Sequence, residues 1–397
     1  MEYSKKKLLF VIPSLDAGGG EKSLVNLLNT LDFNKFQVDL VLFKPSGIFM
    51  KLIPKEVHLV SLSQDYQTFT RPIATSMLSF LKKGKIGLIW SRLNYTITNF
   101  IHKNKGIAEQ KAWSHLKSSI GQLDKEYDVA VGFLEKSSIY FVVDCVSATR
   151  KIGFIHNDYN QLDLDSDFDL PYFKKLSTIA TVSEECADVL KKNFPSEQDK
   201  IRVIYNIVSS QLIHKLAAAP CEIDTKDLVL LSIGRLHPQK GFDIAIEAAL
   251  ILKNKNITFR WYVIGEGAER KSLESTIEAK GLQDCFILLG LKENPYPYIK
   301  AATICVQSSR YEGKSIAIDE AKILHKPIVV TNFTTAKDQI LHNETGLIVA
   351  MNPESIVEGI LKFRDDAAFK SKVISNLKAQ NFGTESEIQK IEQLFQN

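Results

Sequence analysis

Short apolar runs bounded by Gly, Asn or Asp alternate with amphipathic stretches along almost the whole chain. That alternation predicts repeated units of strand, crossover helix and parallel strand. KKLLFVIPS reads as the first strand, and EKSLVNLLNTL as a helix with Leu24, Val25, Leu28 and Leu31 on one stripe. FQVDLVLF, EVHLVSL, DVAVGF, RKIGFIH and TIATVS continue the set, up to IRVIYNIV. The chain then crosses a polar, alanine-rich piece, HKLAAAPCEIDTKD, and a second set begins. LVLLSIG, FRWYVIGE, CFILLG, TICVQS, PIVVT and GLIVA are its strands, separated by helices such as DIAIEAALIL and SIAIDEAKIL. The expectation is an α/β chain of two doubly wound parallel sheets, 1–208 and 209–375, with a helical tail, 376–397, packing back on the first.

A chain of 397 residues, 45% of them hydrophobic, is long enough for two such cores. Five scattered cysteines with no C-x-x-C pair suit reduced thiols in a cytoplasm and argue against a disulfide scaffold or a zinc site. The opening apolar run is short and ends in glycines and an acid, so it reads as a buried strand rather than a signal peptide. No window approaches the roughly 20 apolar residues of a membrane span. Net charge is only +4, but between Arg71 and Lys125 ten Lys or Arg stand against two acids, interleaved with Phe80, Trp90, Tyr95, Phe100 and Trp113. A surface of that kind is what an anionic membrane face attracts, which would place the protein peripherally on the inner face of the cell membrane. Nucleic acid competes for such a surface and is not adopted as a partner. A solvated basic face with core aromatics is the plain alternative.

Each polar cluster of interest follows a strand, where ligands of open α/β sheets lie. In SIGRLHPQKGFD, Arg235 and Lys240 flank the start of a helix, a ready site for a diphosphate. In DAGGGEKS, Gly18, Gly19 and Gly20 let a ligand approach the backbone. The match to G-x-G-x-x-G is only approximate, and the second strand ends in Phe43 and Lys44 with no acid for a ribose, so a nicotinamide oxidoreductase is disfavoured. His156 in FIHNDY stands just past a buried run, and DLDSDFD reads as solvated negative charge rather than a metal site.

YEGKSIAIDEAKIL carries Glu312 and Glu320. On a helix the residues sharing the face of Glu320 are Ile316, Ala317, Ile323 and Leu324, all apolar, so this carboxylate must be paired internally or face a polar ligand. Asp319, beside Lys322, is expected in solvent, and Ser315 is expected to cap the helix.

Taken in order, GRLHPQKGFD, VIGEGAERKSLE, GLKENPYPYIKAA and YEGKSIAIDEAKILHKPIVVTN resemble the retaining nucleotide-sugar glycosyltransferases of family 4, which have the GT-B fold. GGGEKSLVNLL, FIHNDY, TVSEEC and IYNIV are similar to that family's first-domain landmarks, and the likeness is strongest to bacterial enzymes of capsule, exopolysaccharide or other surface glycans. The resemblance implies two Rossmann-like domains facing a cleft, the first on the acceptor side and the second binding the nucleotide-sugar donor, most naturally a UDP-sugar. Arg235 and Lys240 would hold the donor diphosphate in place of a metal, so no cofactor is needed. Glu320 would accept the ribose hydroxyls and Glu312 the sugar hydroxyls, assisted by backbone at Gly313, Lys314 and Ser315. Backbone at Leu289, Gly290 and Leu291 would read the base, and Gly234 and Gly265 belong to the same donor motifs. His156 would approach the sugar from the first domain, and Gly18, Gly19 and Gly20 would border the phosphates or acceptor. The acceptor implied is a glycan or polyprenyl-linked saccharide. Rival readings are a nucleotide-sugar epimerase on the same scaffold and a non-catalytic partner subunit of a transferase.

Overall fold

A computed structural model describes residues 5–16, 18–224 and 227–396. The first sheet contains β1 (Lys6–Ile12), β2 (Phe36–Leu42), β3 (Val57–Val60), β4 (Glu126–Gly132), β5 (Ser147–Ile155), β6 (Thr178–Thr181) and β7 (Ile201–Val203). Its order is β3-β2-β1-β4-β5-β6-β7, all parallel. The second contains β8 (Leu228–Ile233), β9 (Phe259–Ile264), β10 (Phe286–Gly290), β11 (Ile304–Gln307), β12 (Ile328–Thr331) and β13 (Leu347–Val349). It runs β10-β9-β8-β11-β12-β13, again all parallel. The two Rossmann-like sheets expected from the hydrophobic pattern are therefore present. Strands covered by helices on both faces are buried along their length and consist of apolar residues and threonine, as in TIAT and IVVT, and this makes them visible in sequence.

The chain divides into two compact units, the first made of Met1–Asp16, Leu27–Ile204 and Ile388–Asn397, the second of Ala17–Asn26 and Tyr205–Glu387. In the first unit the helix Glu387–Gln396, from Ile388 on, buries Ile391 and Phe395, with the Phe395 ring 5.9 Å from Phe10 and 5.8 Å from Phe36. The tail is not continuously helical: one helix ends at Lys378, and the segment 379–386 is turn and extended chain.

In the second unit, apolar layers cover both faces of the sheet, one including Trp261, Phe242 and Phe363, the other Tyr296, Ile299 and Val330. Strand order reverses between β8 and β11, whose following segments diverge to opposite sides. Such a switch point leaves a crevice at the carboxyl edge of the sheet, the usual place for a nucleotide. The loop after β8 carries Arg235 and Lys240, and the loop after β11 carries Glu312.

Candidate active site

The two switch-point loops are stapled together. Lys240 Nζ lies 2.5 Å from Glu312 Oε1, the same oxygen that accepts from Ser309 Oγ at 2.6 Å and from Gln307 Nε2 at 3.0 Å. Ser308 Oγ donates to the Lys240 carbonyl at 2.9 Å, and Gln239 Nε2 to the Tyr311 carbonyl at 2.9 Å. Arg310 holds Asp243 with both terminal nitrogens, at 2.9 and 2.7 Å. Glu312 is buried, so these donors are what make its charge tolerable there. They converge on one oxygen. Among the described residues no donor reaches Oε2, which remains available to a hydroxyl.

Arg235 differs from its neighbour. It is exposed, and among the described residues its guanidinium has no ion pair or hydrogen bond. It stands before the helix Phe242–Asn254, whose N-cap, Gly241, offers no side chain to the first N–H groups. A free guanidinium, with Lys240 alongside and a helix start whose N-cap has no side chain although Asp243 takes part of its N–H groups, suits an anion with spread charge such as a diphosphate.

Glycine is required in this loop system for closeness. Gly241 has φ +62°, and a Cβ there would lie 2.1 Å from the Ser308 carbonyl oxygen; at Gly265 a Cβ would lie 1.9 Å from the oxygen of Gly234. Both contacts are with backbone and cannot be relieved by a side chain turning away. Gly241→Ala and Gly265→Ala are each expected to lose more than about 1 kcal/mol in urea unfolding, whereas Gly19→Ala, with open space around its Cβ, should be neutral or slightly stabilising.

Glu320 lies on the helix Ile316–Ile323 and is 2% exposed. The apolar neighbours on its face predicted burial correctly, but the partner is internal: Lys22 forms an ion pair with Oε1, and Tyr296 donates its hydroxyl to the same oxygen at 3.1 Å. The Lys22 ammonium also sits 4.7 Å from the centre of the Tyr296 ring. Burial disfavours the charged lysine, yet Glu320 and Tyr296 outweigh it and hold the Lys22 pKa above the ordinary lysine range. Burial, then Glu320, pushes the Tyr296 phenol up. Here too only Oε1 is engaged. Among the described residues Oε2 of Glu320 has no donor, so one carboxylate oxygen stays outside the ion pair.

Two local expectations are corrected. Asp319 is not in solvent but 2% exposed, 3.0 Å from Lys322, because the short helix is covered on nearly every side. Ser315 occupies the N-cap position without a side-chain cap bond; Gln339 instead accepts from its N–H and donates to its carbonyl, both at 2.8 Å. Lys314 is likewise committed, its Nζ 3.8 Å from the Tyr205 ring centre, with burial lowering its pKa. Glu312, Gly313, Lys314 and Ser315 thus form one rigid turn, anchored further by Thr335 Oγ1 on the Glu312 carbonyl at 3.0 Å.

Gly290 ends β10 with φ +72°, its carbonyl accepting from Gly265 N–H at 3.0 Å, and places Leu289 and Leu291 at the carboxyl edge beside Gly234 and Gly265. Gly18 precedes the helix Gly19–Thr30, which Gly19 and Gly20 begin, and Lys22 follows within its first turn.

In the first unit, His156 directly follows β5, buried against Phe133 and Phe154 with ring centres 5.0 and 5.8 Å away. The turn is organised by Glu135, which sequence reasoning passed over: Oε1 accepts the backbone N–H groups of His156 and Asn157, each at 2.9 Å, and Asn157 Nδ2 at 3.0 Å. DLDSDFD is not simply solvated charge. Asp165 caps the helix Ser166–Phe173, and Asp169 is buried, accepting from the Tyr140 and Tyr159 hydroxyls, with burial raising its pKa. Also missed were Lys22, Tyr296, Gln307 and Ser309. For the last two a signal existed, since polar residues directly after the apolar TICV mark a strand end that meets a ligand or a charge.

Residues 217–380, almost the whole sheet-bearing part of the second unit, match the family described as Glycosyl transferases group 1. That match bears out the family 4 resemblance over this domain. Among relatives, the chain is 25% identical over 94% of its length, and 95% of the relative's, to the N-acetylgalactosamine-N,N'-diacetylbacillosaminyl-diphospho-undecaprenol 4-alpha-N-acetylgalactosaminyltransferase of Campylobacter jejuni. It is 28% identical over 48% of its length, and 40% of the relative's, to the poly(ribitol-phosphate) alpha-N-acetylglucosaminyltransferase of Staphylococcus aureus. Among solved structures, Anabaena Alr3699/HepE in complex with UDP-glucose has the same fold, with a TM-score of 0.70, 16% identity, and coverage of 98% of this chain and 99% of that one.

Proposed function

We propose that the protein is a retaining glycosyltransferase that moves a sugar from a nucleotide-sugar, in our reading a UDP-sugar, to a hydroxyl of a glycan or lipid-linked acceptor in surface-polysaccharide or glycoconjugate synthesis. The observation that carries this reading is the switch point of the second sheet. There Arg235, exposed and without an ion pair among the described residues, and the Glu312-bound Lys240 stand before a helix whose N-cap is a glycine, with a carboxylate oxygen of Glu312 and of Glu320 left without a donor. Cations and helix start suit the diphosphate; open carboxylate oxygens suit hydroxyls.

In this reading Arg235 and Lys240 neutralise the departing nucleoside diphosphate, and no metal takes part. The anomeric carbon–oxygen bond to phosphate breaks as the acceptor oxygen bonds to the same face of the sugar. The leaving phosphate oxygen takes the acceptor's proton. Catalysis then rests on position and on charge stabilisation. Glu312, with Oε1 saturated and Oε2 open, orients the sugar through its hydroxyls. The undecaprenol-linked relative supports a lipid-linked acceptor.

Two measurements test the finer terms. The anomeric configuration of the first-formed product, read by proton NMR, should match that of the donor; inversion would overturn the retaining assignment. Turnover should survive exhaustive EDTA treatment, and loss restored by a divalent cation would overturn the metal-free assignment. Conversion of the sugar nucleotide with no acceptor present would instead indicate an epimerase.

A further inference from the structure

The first unit carries an apolar face that the fold leaves uncovered. On the helix Ile86–Ile101 no residue is buried. Ile86, Trp90, Ile97, Phe100 and Ile101 are 61, 62, 43, 90 and 65% exposed. At about 100° per residue these five fall within an arc of roughly 100°. The opposite arc holds Arg92 and Tyr95, which face the Phe69 ring at 5.4 and 5.5 Å. The preceding helix, Ile73–Lys82, turns Ser76 and Phe80 inward and leaves Leu78 and Leu81 54 and 62% exposed.

Charge around this face has one sign. From Arg71 to Lys105 there are seven Lys or Arg and no Asp or Glu. Lys85 is paired with Asp65, but Lys82, Lys83, Lys103 and Lys105 are exposed and have no ion pair among the described residues. They lie at the ends of the two helices, around the apolar stripe.

We propose that this face docks on an anionic lipid bilayer, with the helix Ile86–Ile101 lying in the plane of the headgroups. Its 16 residues span only about 24 Å, short of the roughly 30 Å hydrocarbon core, so it lies on the membrane rather than crossing it. An apolar stripe with large aromatics and a cationic border is the composition that partitions into an anionic interface. A second copy of the chain suits the face less well, because a two-fold contact would set these cations against one another.

This inference goes beyond the transferase reading, and its test contains no sugar nucleotide, so either can fail alone. The probe is a vesicle of phosphatidylcholine with about 30 mol% phosphatidylglycerol, assayed by co-sedimentation and Trp fluorescence. Of the three tryptophans, Trp113 and Trp261 are fully buried, so a change in emission reports Trp90. The expected result is co-sedimentation with a blue-shifted emission that Trp90→Phe abolishes. Binding should fall at least about tenfold on pure phosphatidylcholine and in the triple variant Lys82→Glu, Lys83→Glu, Lys103→Glu. Phe100→Ser with Ile101→Ser should weaken binding without lowering Tm, since both side chains already face water. Protein that stays in the supernatant, or sediments with Trp90 emission unshifted, would overturn the proposal. So would a wild-type dimer that Phe100→Ser dissociates, or retention of a short nucleic-acid duplex in preference to vesicles.

Discussion

Arg235→Ala is expected to reduce kcat/KM a hundred- to a thousand-fold while leaving Tm and the urea midpoint nearly unchanged. The structure separates the two effects: an exposed guanidinium with no ion pair or hydrogen bond among the described residues contributes little to the folded state that its removal could take away. In the proposed reaction it contributes charge where the diphosphate becomes more negative as the sugar departs, and single preorganised donors of that kind contribute about 2.7–4 kcal/mol to the transition state. Lys240→Ala should match this loss in turnover and add a stability cost, because it strips the ion pair from buried Glu312 and leaves only Ser309 and Gln307 on Oε1. Steady-state kinetics and urea unfolding of both variants check the contrast. Equal stability losses in the two, or wild-type turnover in either, would contradict the assigned roles.

Lys22→Ala should destabilise the fold by about 3–5 kcal/mol, the cost of leaving a buried carboxylate without its cation. Among the described residues Glu320 has one other donor, the Tyr296 hydroxyl on the same oxygen, and at 2% exposure water replaces little of what the ammonium supplies there. The double variant Lys22→Met, Glu320→Gln removes both charges and keeps a donor and an acceptor beside Tyr296, so most of that loss should return. Chemical denaturation of Lys22→Met, of Glu320→Gln and of the double variant gives the coupling directly. A Lys22→Ala protein as stable as wild type would mean that the pair makes no net contribution to stability.

The sequence exposed most of the fold because parallel strands buried on both faces are largely apolar, and each of the described strands overlaps a run read as a strand, although β3 and the first half of β5 are partly exposed. That Lys240 and Glu312 share one crevice was legible for a topological reason, since both follow strands at the switch point; that they bind each other was not, because the sequence assigned each to a ligand. Lys22 was not legible. Helical spacing identifies neighbours of Glu320 on its own element, and Lys22 belongs to the first helix of the chain, brought in by tertiary folding that no local period encodes. Asp319 was misplaced for a related reason, since a helix covered on nearly all sides has no solvent face for an acid to choose, and Lys322 and Lys314 accompany it inward. Glu135 follows a strand as Glu312 does, but its partners are backbone N–H groups, which carry no side-chain pattern to read.

The central claim, that the β8 and β11 loops of the second unit bind the diphosphate of a sugar nucleotide, is tested most directly by thermal shift and calorimetry across UDP- and GDP-sugars with wild type and Arg235→Ala side by side. A ligand that binds only the native site raises Tm by mass action. The account predicts that one donor raises the wild-type Tm and that the Arg235→Ala protein, equally stable without ligand, loses most of that rise. A rise of the same size in both proteins, or none with any nucleotide sugar, would contradict it.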